Sequence, residues 1–548
     1  MTNSGPGNRR RKTRRERTPR ERHAHPDHRL LSRWFRKLQP ESGAKDRPLP
    51  PPPAGRHGDP IEEFYTAKHH DLVISAVEKM VRRGRPETPR HAWLYARSCL
   101  EIGQPERVLR TAERFADRTW RHHRFRAQVF QALLCLDRVD KAKALVEESL
   151  LLGAFDMESL LRFVGEYRRI GDGDLIRVLI DLLCRHWAGR LNVPTSCFLQ
   201  NVLLNTGSPL DAFRYAKPAG GDRFHADRYL LLANAALRSG DHAGALNQFN
   251  RVLRGFGLSP AILRERGQPF AAWNLAGAGG LPARDGPLVS IAMSTFNAST
   301  TVVPALMSLS AQTYRNIEIL VVDDCSLDNT ADLVQRYAFE TDARVRFSRM
   351  NENGGAYQAR NRALGEARGK YFTCNDADDW SHPEKIALLV EALDKGTAAA
   401  VQSALIRLSP ETGIKPKRLG YIHDDMSSTL FRREMVLDRI GYYEPVRFGA
   451  DSEYVQRILR AFGPAAIDKI TKPLLVAHWA DNTLSAGPGT GISDSGIFYP
   501  QRAAYRNAYR MRHARGEGLK RGSNGELVAS VDAIRKDVNL SEPLSVDR

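Results

Sequence analysis

Short β-rich runs alternate with helical runs through the second half of this 548-residue chain. Each β-rich run is followed by a longer segment with the apolar spacing of a helix. This alternation predicts βαβ units and a mostly parallel central sheet, in which ligands bind beyond the carboxyl ends of the strands. The β-rich runs are Leu288–Met293, Ile317–Val322, Arg344–Phe347 and Lys370–Thr373.

Polar residues cluster where the first, second and fourth of these runs end. The clusters read STFN at 294–297, DDCS at 323–326 and NDADD at 375–379. In the last cluster, Asp376, Asp378 and Asp379 repel one another unless a cation lies among them, and a hard divalent cation takes carboxylate and phosphate oxygens together. The alternative is a solvated acidic turn. No GxGxxG opens the first helix and no GxxxxGK[ST] loop occurs, so a bound diphosphate would need such a cation for its neutralisation.

Five landmark stretches follow one another between Pro287 and about Ser485. They are VSIAMSTFN, SLSAQTYRNIEILVVDDCSLDNT, NENGGAYQARNRALGEARGKYF, NDADDW and FGADSEYVQRI. In this order they resemble the family 2 glycosyltransferases. The resemblance implies an inverting enzyme with the A-type fold that uses a divalent metal, Mn²⁺ or Mg²⁺. It also implies that the enzyme moves a sugar from a nucleotide-diphosphate donor, UDP-linked, to a hydroxyl of a saccharide or lipid-linked acceptor.

The resemblance assigns roles to individual positions. Asp451 falls at the position of the catalytic base, although Ala450 replaces the Glu that precedes it in many relatives; Glu453 is the alternative base. The expected metal ligands are Asp378, Asp376 and His478. The residues expected to bind the nucleotide sugar are Thr295, Asn297, Asp323, Asp324, Arg360 and Asp376.

Several of these residues also fit structural roles. Asp324 suits the cap of a turn with Ser326, and Arg360 suits a structural ion pair. His478, which is followed by Trp, suits a packed side chain. Asp379 suits the cap of the helix that follows the acidic cluster.

The acceptor side of the cleft is expected within residues 408–447, as in related folds. There the resemblance points to His423, Ser428 and Thr429 as residues near the acceptor. A basic helix is predicted further on, at Gln501–Arg515. It either completes the acceptor cleft or contacts membrane lipid, and the sequence leaves both open.

Residues 60–270 are helical and periodic. Five turn-like positions lie 34, 34, 36 and 33 residues apart, and each is followed after five and nine residues by small or apolar side chains. The spacing resembles the tetratricopeptide repeat, a stack of helical hairpins whose concave face binds a partner protein or peptide. Generic hairpins with accidental spacing are the alternative. The turn positions are Gly103, Asp137, Gly171, Gly207 and Gly240.

Residues 1–59 carry sixteen Lys and Arg against six Asp and Glu, which predicts a disordered basic tail. Within it, residues 28–38 (HRLLSRWFRKL) can form a basic amphipathic helix that contacts an anionic membrane surface or docks on the protein's own body. No nucleic-acid partner is expected, because no recognisable nucleic-acid module follows the tail. Scattered cysteines and the lack of a long apolar run or secretory signal predict a cytoplasmic protein, peripheral at the inner face of the cell membrane if the tail binds lipid.

The sequence therefore predicts a multidomain chain. An all-α helical-repeat (tetratricopeptide-like) domain is followed by an α/β nucleotide-diphospho-sugar transferase domain with a mostly parallel central sheet. The boundaries are 1–59 for the tail, 60–270 for the repeats, 271–286 for a linker, 287–490 for the transferase domain and 491–548 for a helical and polar extension. By analogy, helical repeats fused to such a domain suggest assembly of a surface polysaccharide or glycoconjugate.

Two other classes compete with this interpretation. A non-catalytic scaffold with a vestigial sugar-nucleotide site would have lost an acidic metal residue or the base, yet all are present. A nucleotidyltransferase on a related sheet would carry a Gly-rich Arg/Lys loop after the first strand, where this chain reads STFNAST.

Overall fold

The computed structural model describes residues 59–83, 88–112, 117–207, 224–416, 420–480, 490–493 and 498–514. The predicted tail, with its amphipathic helix at 28–38, lies outside the described residues except for Asp59. Within the described ranges, no helix is both long and apolar enough to cross a lipid bilayer.

The first part of the chain is helical, as expected. Its helices begin and end close to residues with strong local signals; Asp156, for example, caps its helix through a hydrogen bond from the Ser159 N–H at 2.8 Å. A short 3₁₀ helix at Ala188–Arg190 links two of the helices. The helices are α1 (Pro60–Thr66), α2 (His70–Arg82), α3 (Pro89–Glu101), α4 (Pro105–Ala112), α5 (Asp117–Trp120), α6 (His123–Cys135), α7 (Val139–Leu151), α8 (Met157–Gly165), α9 (Tyr167–Ile170), α10 (Gly173–Trp187), α11 (Val193–Asn205), α12 (Ala226–Arg238) and α13 (His242–Gly255).

The predicted turns fall just after the ends of helices α3, α6, α9, α11 and α12. All five turn residues have positive φ angles, between 55° at Asp137 and 85° at Gly207. A left-handed residue at this point closes the last helical turn and lets the next helix fold back. Five positions after four of these turns, the side chains are fully buried: Val108, Ala142, Ile176 and Ala245. Close hairpin packing follows from these buried side chains, while the likeness to the tetratricopeptide repeat stays a prediction.

The second part is an α/β domain built on one mixed, mostly parallel sheet. The strand order is β5-β4-β3-β6-β11-β8-β12-β7, with β9 and β10 also paired to β8. Strands β3 to β6 are parallel to one another and β12 is parallel to β8, whereas β7, β9, β10 and β11 pair antiparallel. The strands are β3 (Val289–Thr295), β4 (Ile317–Asp323), β5 (Val345–Arg349), β6 (Tyr371–Cys374), β7 (Trp380–Ser381), β8 (Ala400–Ser409), β9 (Gly413–Ile414), β10 (Ile422–Asp424), β11 (Leu430–Arg432) and β12 (Ile467–His478).

Helices cover both faces of this sheet, so its central strands are buried on both sides; every residue of β4 is buried. Helices α14, α15 and α17 pack on one face, and α16, α18 and α19 on the other. The helices are α14 (Val302–Ser310), α15 (Thr330–Glu340), α16 (Ala356–Glu366), α17 (Lys385–Lys395), α18 (Arg433–Ile440), α19 (Ala450–Phe462) and α20 (Pro500–Ala514).

The segment predicted as a linker, 271–286, is packed over its first residues. It contains a 3₁₀ helix at Ala272–Asn274 and strand β2 (Leu275–Gly277), which pairs antiparallel with β1 (Ala261–Leu263). A side chain at Gly277 would come within 2.3 Å of the Pro383 ring, so β2 lies directly against the start of the α17 region. The first residues of the predicted linker thus connect the helical part to the α/β part through packing contacts.

Two further contacts join the helical part to the α/β part. Asn234 on α12 exchanges two hydrogen bonds with the backbone of Ile414: its Nδ2 donates to the carbonyl at 2.6 Å, and the N–H donates to its Oδ1 at 2.7 Å. Helix α20 contacts both parts, because Arg506 pairs with Glu101 on α3 while Tyr505 and Arg512 both bond the α/β residue Glu444.

Candidate active site

A cavity of about 620 Å³ opens at the carboxyl edge of the parallel strands, where the sequence predicts a ligand. The segment after β3, the acidic loop between β6 and β7, the ends of β8 and β12 and the first turns of α16 and α19 all contribute to its wall. Its lining includes Asp376, Asp378, Asp379, Asp451, Arg360, Arg407, Arg447, Arg502 and His478.

The residues after β3 line the cavity, but the side chain that ends the strand does not. Ser294, Phe296 and Asn297 face the cavity, whereas Thr295 is buried and its hydroxyl donates to Asp323 Oδ1 at 3.2 Å. Asn297 has a positive φ of 48°, and its Oδ1 accepts from the Leu327 N–H at 2.8 Å. Of the two predicted nucleotide-binding residues in this stretch, Asn297 therefore lines the cavity and Thr295 does not.

The two aspartates after β4 are buried and accept hydrogen bonds from within the protein. Asp323 is buried and accepts from the Ser326 N–H at 3.0 Å, so Asp323, and not Asp324, closes the turn with Ser326. Asp324 accepts from the N–H groups of Gly354 and Gly355 at 2.8 and 2.7 Å, and burial raises its pKa. Neither carboxylate lies among the residues that line the cavity. Asp324 instead holds the glycine turn from which α16 begins.

The acidic loop brings its three carboxylates together at the cavity. Asp376 forms an ion pair with the buried Arg360. Arg360, which was predicted to bind the nucleotide sugar, thus also makes the structural ion pair that was its alternative role. Burial and the charge of Asp376 raise the pKa of Asp378 to about 7. Asp379 accepts from the His478 N–H at 2.9 Å and does not cap the following helix; burial and the two neighbouring aspartates raise its pKa as well.

His478 reaches this loop because β12 pairs with β7, which directly follows the acidic residues. Its Nδ1 is buried and makes no hydrogen bond to the described residues, and burial lowers its pKa, which favours the neutral ring. No group of three or more His, Cys, Asp or Glu side chains in the described ranges is arranged to hold a metal. Asp378 and His478 nonetheless offer an oxygen and a nitrogen donor at one cavity, which fits a cation that completes its coordination with phosphate oxygens.

Asp451 lies in the first turn of α19, where the helix dipole favours a carboxylate. The Tyr357 hydroxyl donates to its Oδ1 at 3.1 Å and the Ser452 N–H donates to the same oxygen at 2.7 Å. Both hydrogen bonds use one oxygen, which leaves Oδ2 for the cavity. Glu453 is fully buried, paired with Arg457 at 2.7 Å and bonded to His513 at 2.9 Å, so it is no alternative base.

The three residues expected near the acceptor do not line the cavity. Ser428 is buried and its N–H donates to Asp425 at 3.0 Å, and Thr429 accepts from Gln402 at 3.0 Å. His423 lies on β10, and Ser427 is the residue of this loop that lines the cavity. Ser427 and Arg447 of the region 408–447 thus line the cavity, whereas the three predicted side chains do not.

Several lining residues were missed by sequence reasoning, among them Tyr357, Arg407, Arg447 and Trp479. Arg407 carried a signal, since it is the one charged residue of strand β8. Helix α20 contributes Arg502 to the lining, which supports the first of the two roles that the sequence left open for this helix.

Comparison with known proteins identifies the α/β part. Residues 290–455 match the sequence model of Glycosyl transferase family 2. The succinoglycan biosynthesis protein ExoO of Rhizobium meliloti (strain 1021) is 37% identical over 122 residues, which cover 22% of this chain and 33% of that protein. Residues 290–455 are therefore a family 2 glycosyltransferase domain that follows an N-terminal helical region.

Other similar proteins share the same part of the chain. The UDP-Glc:alpha-D-GlcNAc-diphosphoundecaprenol beta-1,3-glucosyltransferase WfaP of Escherichia coli is 38% identical over 100 residues, covering 18% of this chain and 39% of that protein. The match thus spans well under half the length of either relative. The solved structure of S. aureus TarS 1-349 in complex with UDP-GlcNAc is 19% identical, with a TM-score of 0.29 and coverage of 36% of this chain and 59% of that one.

Proposed function

We propose that this protein is a metal-dependent, inverting glycosyltransferase that moves a sugar from a nucleotide diphosphate to a hydroxyl of a saccharide or lipid-linked acceptor. The observation that carries the proposal is the shared cavity. The carboxylate of Asp451 and the acidic loop of Asp376 and Asp378 line the same space at the carboxyl edge of the sheet. The names of ExoO and WfaP support a role in assembly of a surface polysaccharide or glycoconjugate.

The donor occupies the side of the cavity formed by the segment after β3 and by the acidic loop. Phe296 lines the cavity and is 47% exposed, which provides an aromatic face for a nucleobase. The ion pair of Arg360 fixes Asp376, whose remaining oxygen is placed to bond a ribose hydroxyl. We take UDP as the nucleotide because the name of WfaP includes a UDP-sugar donor.

Asp378 and His478 would hold Mn²⁺ or Mg²⁺. The bound ion would neutralise the negative charge that develops on the departing nucleoside diphosphate. Burial and the charge of Asp376 raise the pKa of Asp378 to about 7, so an ionised carboxylate at this position is costly unless a cation offsets it. A cation removes that cost, and nucleotide and metal should therefore bind together.

Asp451 acts as the general base. Its Oδ2 accepts the proton of the acceptor hydroxyl while that oxygen attacks the anomeric carbon from the face opposite the leaving group, which inverts the configuration. Tyr357 and the Ser452 N–H position the carboxylate by holding its other oxygen. Ser427 and Trp479 line the same cavity and bound the space for the acceptor.

The remaining assignments concern partners and location. The helical region presents a surface for a protein or peptide partner, and the basic tail contacts the anionic inner face of the cell membrane. With the tail on lipid, the enzyme would work in the cytoplasm, peripheral to the membrane.

A donor screen tests the proposal. Nucleotide sugars are added to the full chain with and without Mn²⁺, thermal shifts are recorded, and the nucleotide sugars that bind are assayed for hydrolysis. We expect metal-dependent stabilisation by one or a few nucleotide sugars, followed by slow release of the nucleoside diphosphate. Binding without turnover in the presence of candidate acceptors would favour the scaffold class, and the lack of any binding would refute the proposal.

A further inference from the structure

Arg407 is an unusual member of the cavity lining. It extends from β8 and its guanidinium lies over the ring of Trp479, 5.1 Å from the centroid. Its Nε is buried and makes no hydrogen bond to the described residues. A buried N–H group without an acceptor costs folding free energy, because it has lost its hydrogen bonds to water. Burial accordingly lowers the pKa of Arg407.

Two other cavity arginines have clear structural partners. Arg360 pairs with Asp376, and Arg447 donates to the Asn353 carbonyl at 3.0 Å. Their positive charges are therefore used within the protein. Arg407 lacks an equivalent hydrogen-bonded partner in the described part of the chain, so a ligand anion is the natural acceptor for it.

Arg502 brings a second guanidinium to the same part of the cavity. Its Nε donates to the Thr490 carbonyl, and its guanidinium lies over the Phe448 ring, 5.4 Å from the centroid. A side chain at Gly449 would be 3.5 Å from its Nη1. These contacts place it beside the residues that directly precede Asp451. Arg407, Arg502 and Asp451 line the same cavity.

Helix α20 holds Arg502 rigidly in this position. Glu444 accepts from the Tyr505 hydroxyl at 2.9 Å and from Arg512 at 2.6 Å, and all three side chains are buried. A guanidinium positioned by a packed helix loses little conformational entropy when it binds a ligand.

We propose that Arg407 and Arg502 form an anion subsite on the acceptor side of Asp451, which binds a phosphate group of the acceptor. The inference rests on the proposed function, because it takes the donor to occupy the side of Phe296 and the acidic loop. Guanidinium groups match the oxygen geometry of phosphate and bind it through paired hydrogen bonds. A bound phosphate would supply the acceptor that the Arg407 donors lack.

Titration of inorganic phosphate into protein saturated with UDP and Mg²⁺ tests the subsite by calorimetry. We expect millimolar binding to the wild type, and at least tenfold weaker binding to the Arg407→Met/Arg502→Met variant, with UDP affinity changed less than twofold. Arg336→Met, at an exposed position on α15, is the matched control. Competition between phosphate and UDP, or equal phosphate binding by all three proteins, would overturn the proposal. If UDP itself does not bind, the proposed function fails, and titration of the nucleotide-free protein still reports on the subsite.

Transfer assays then distinguish the sources of the phosphate. The acceptor probes are an alkyl-linked sugar diphosphate, an oligomeric polyol phosphate and a neutral alkyl glycoside. Arg407→Met should raise the KM of one phosphorylated probe at least tenfold and leave the KM of the neutral probe unchanged. The probe that is affected identifies a lipid or a polymer source, and an equal loss on the neutral probe would contradict the subsite. Arg407→Lys, which keeps the charge without the paired donors, should recover part of the loss if the fold is intact.

Discussion

Replacing Asp451 by Asn isolates proton transfer from binding and folding. Asn keeps an oxygen that can accept from the Tyr357 hydroxyl and the Ser452 N–H, which the structure places at 3.1 and 2.7 Å from Oδ1. The substitution then removes only the basic oxygen that faces the cavity. General-base catalysis contributes about 10² to 10⁴ in rate. We therefore expect kcat to fall by that factor, equivalent to about 3–5 kcal/mol of barrier.

The assay combines initial transfer rates with calorimetric affinity for the donor in excess Mn²⁺. Donor affinity should change less than twofold and the melting temperature should stay the same. Asp424→Asn is the matched control, because Asp424 pairs with Lys469 and does not line the cavity. If Asp451→Asn transfers sugar at more than a tenth of the wild-type rate, or loses donor binding, Asp451 is not the base.

Three further predictions concern the framework around the site. Asn234→Leu leaves the N–H and carbonyl of Ile414 without partners, so urea unfolding should show a loss of about 2–5 kcal/mol; a loss below 1 kcal/mol would contradict the contact. Glu444→Ala leaves Arg512 buried and unpaired, which should cost about 3–5 kcal/mol and speed hydrogen exchange in α20, whereas unchanged exchange would argue against its docking. Burial lowers the pKa of His70 from 6.5 to about 4, so the unfolded state binds a proton that the folded state does not. The contribution of His70 to stability should be complete above pH 6.5 and fall by about 1.4 kcal/mol per pH unit towards pH 4, and His70→Gln should reduce the measured slope by that amount.

The structural features that depend on neighbouring residues in the sequence were predictable. The helical hairpins follow from turn residues that tolerate positive φ, including Asp137, and from buried small residues at a fixed offset. The strands of the α/β domain follow from apolar runs covered on both faces by helices. The acidic loop was found because three carboxylates directly after a strand have few structural explanations.

Features that depend on distant pairing were not predictable. The sequence around Asp323 and Asp324 does not show that both carboxylates accept hydrogen bonds within the protein. The partner of Asp324 is the glycine turn about thirty residues later. Ser427 and Ser428 are adjacent, and only the course of the chain decides which one faces the cavity. Arg502 enters the site from a helix beyond the family 2 domain, which no local pattern could reveal.

Metal-linked nucleotide binding tests most directly whether the acidic loop works as a cation site. The measurement is the calorimetric affinity for UDP in Mn²⁺ and in EDTA, for the wild type and for Asp378→Ala. Wild-type protein should bind UDP at least tenfold more tightly with Mn²⁺, and Asp378→Ala should lose that difference while Asp424→Asn keeps it. Equal affinity with and without the metal, or an unchanged metal effect in Asp378→Ala, would contradict the account.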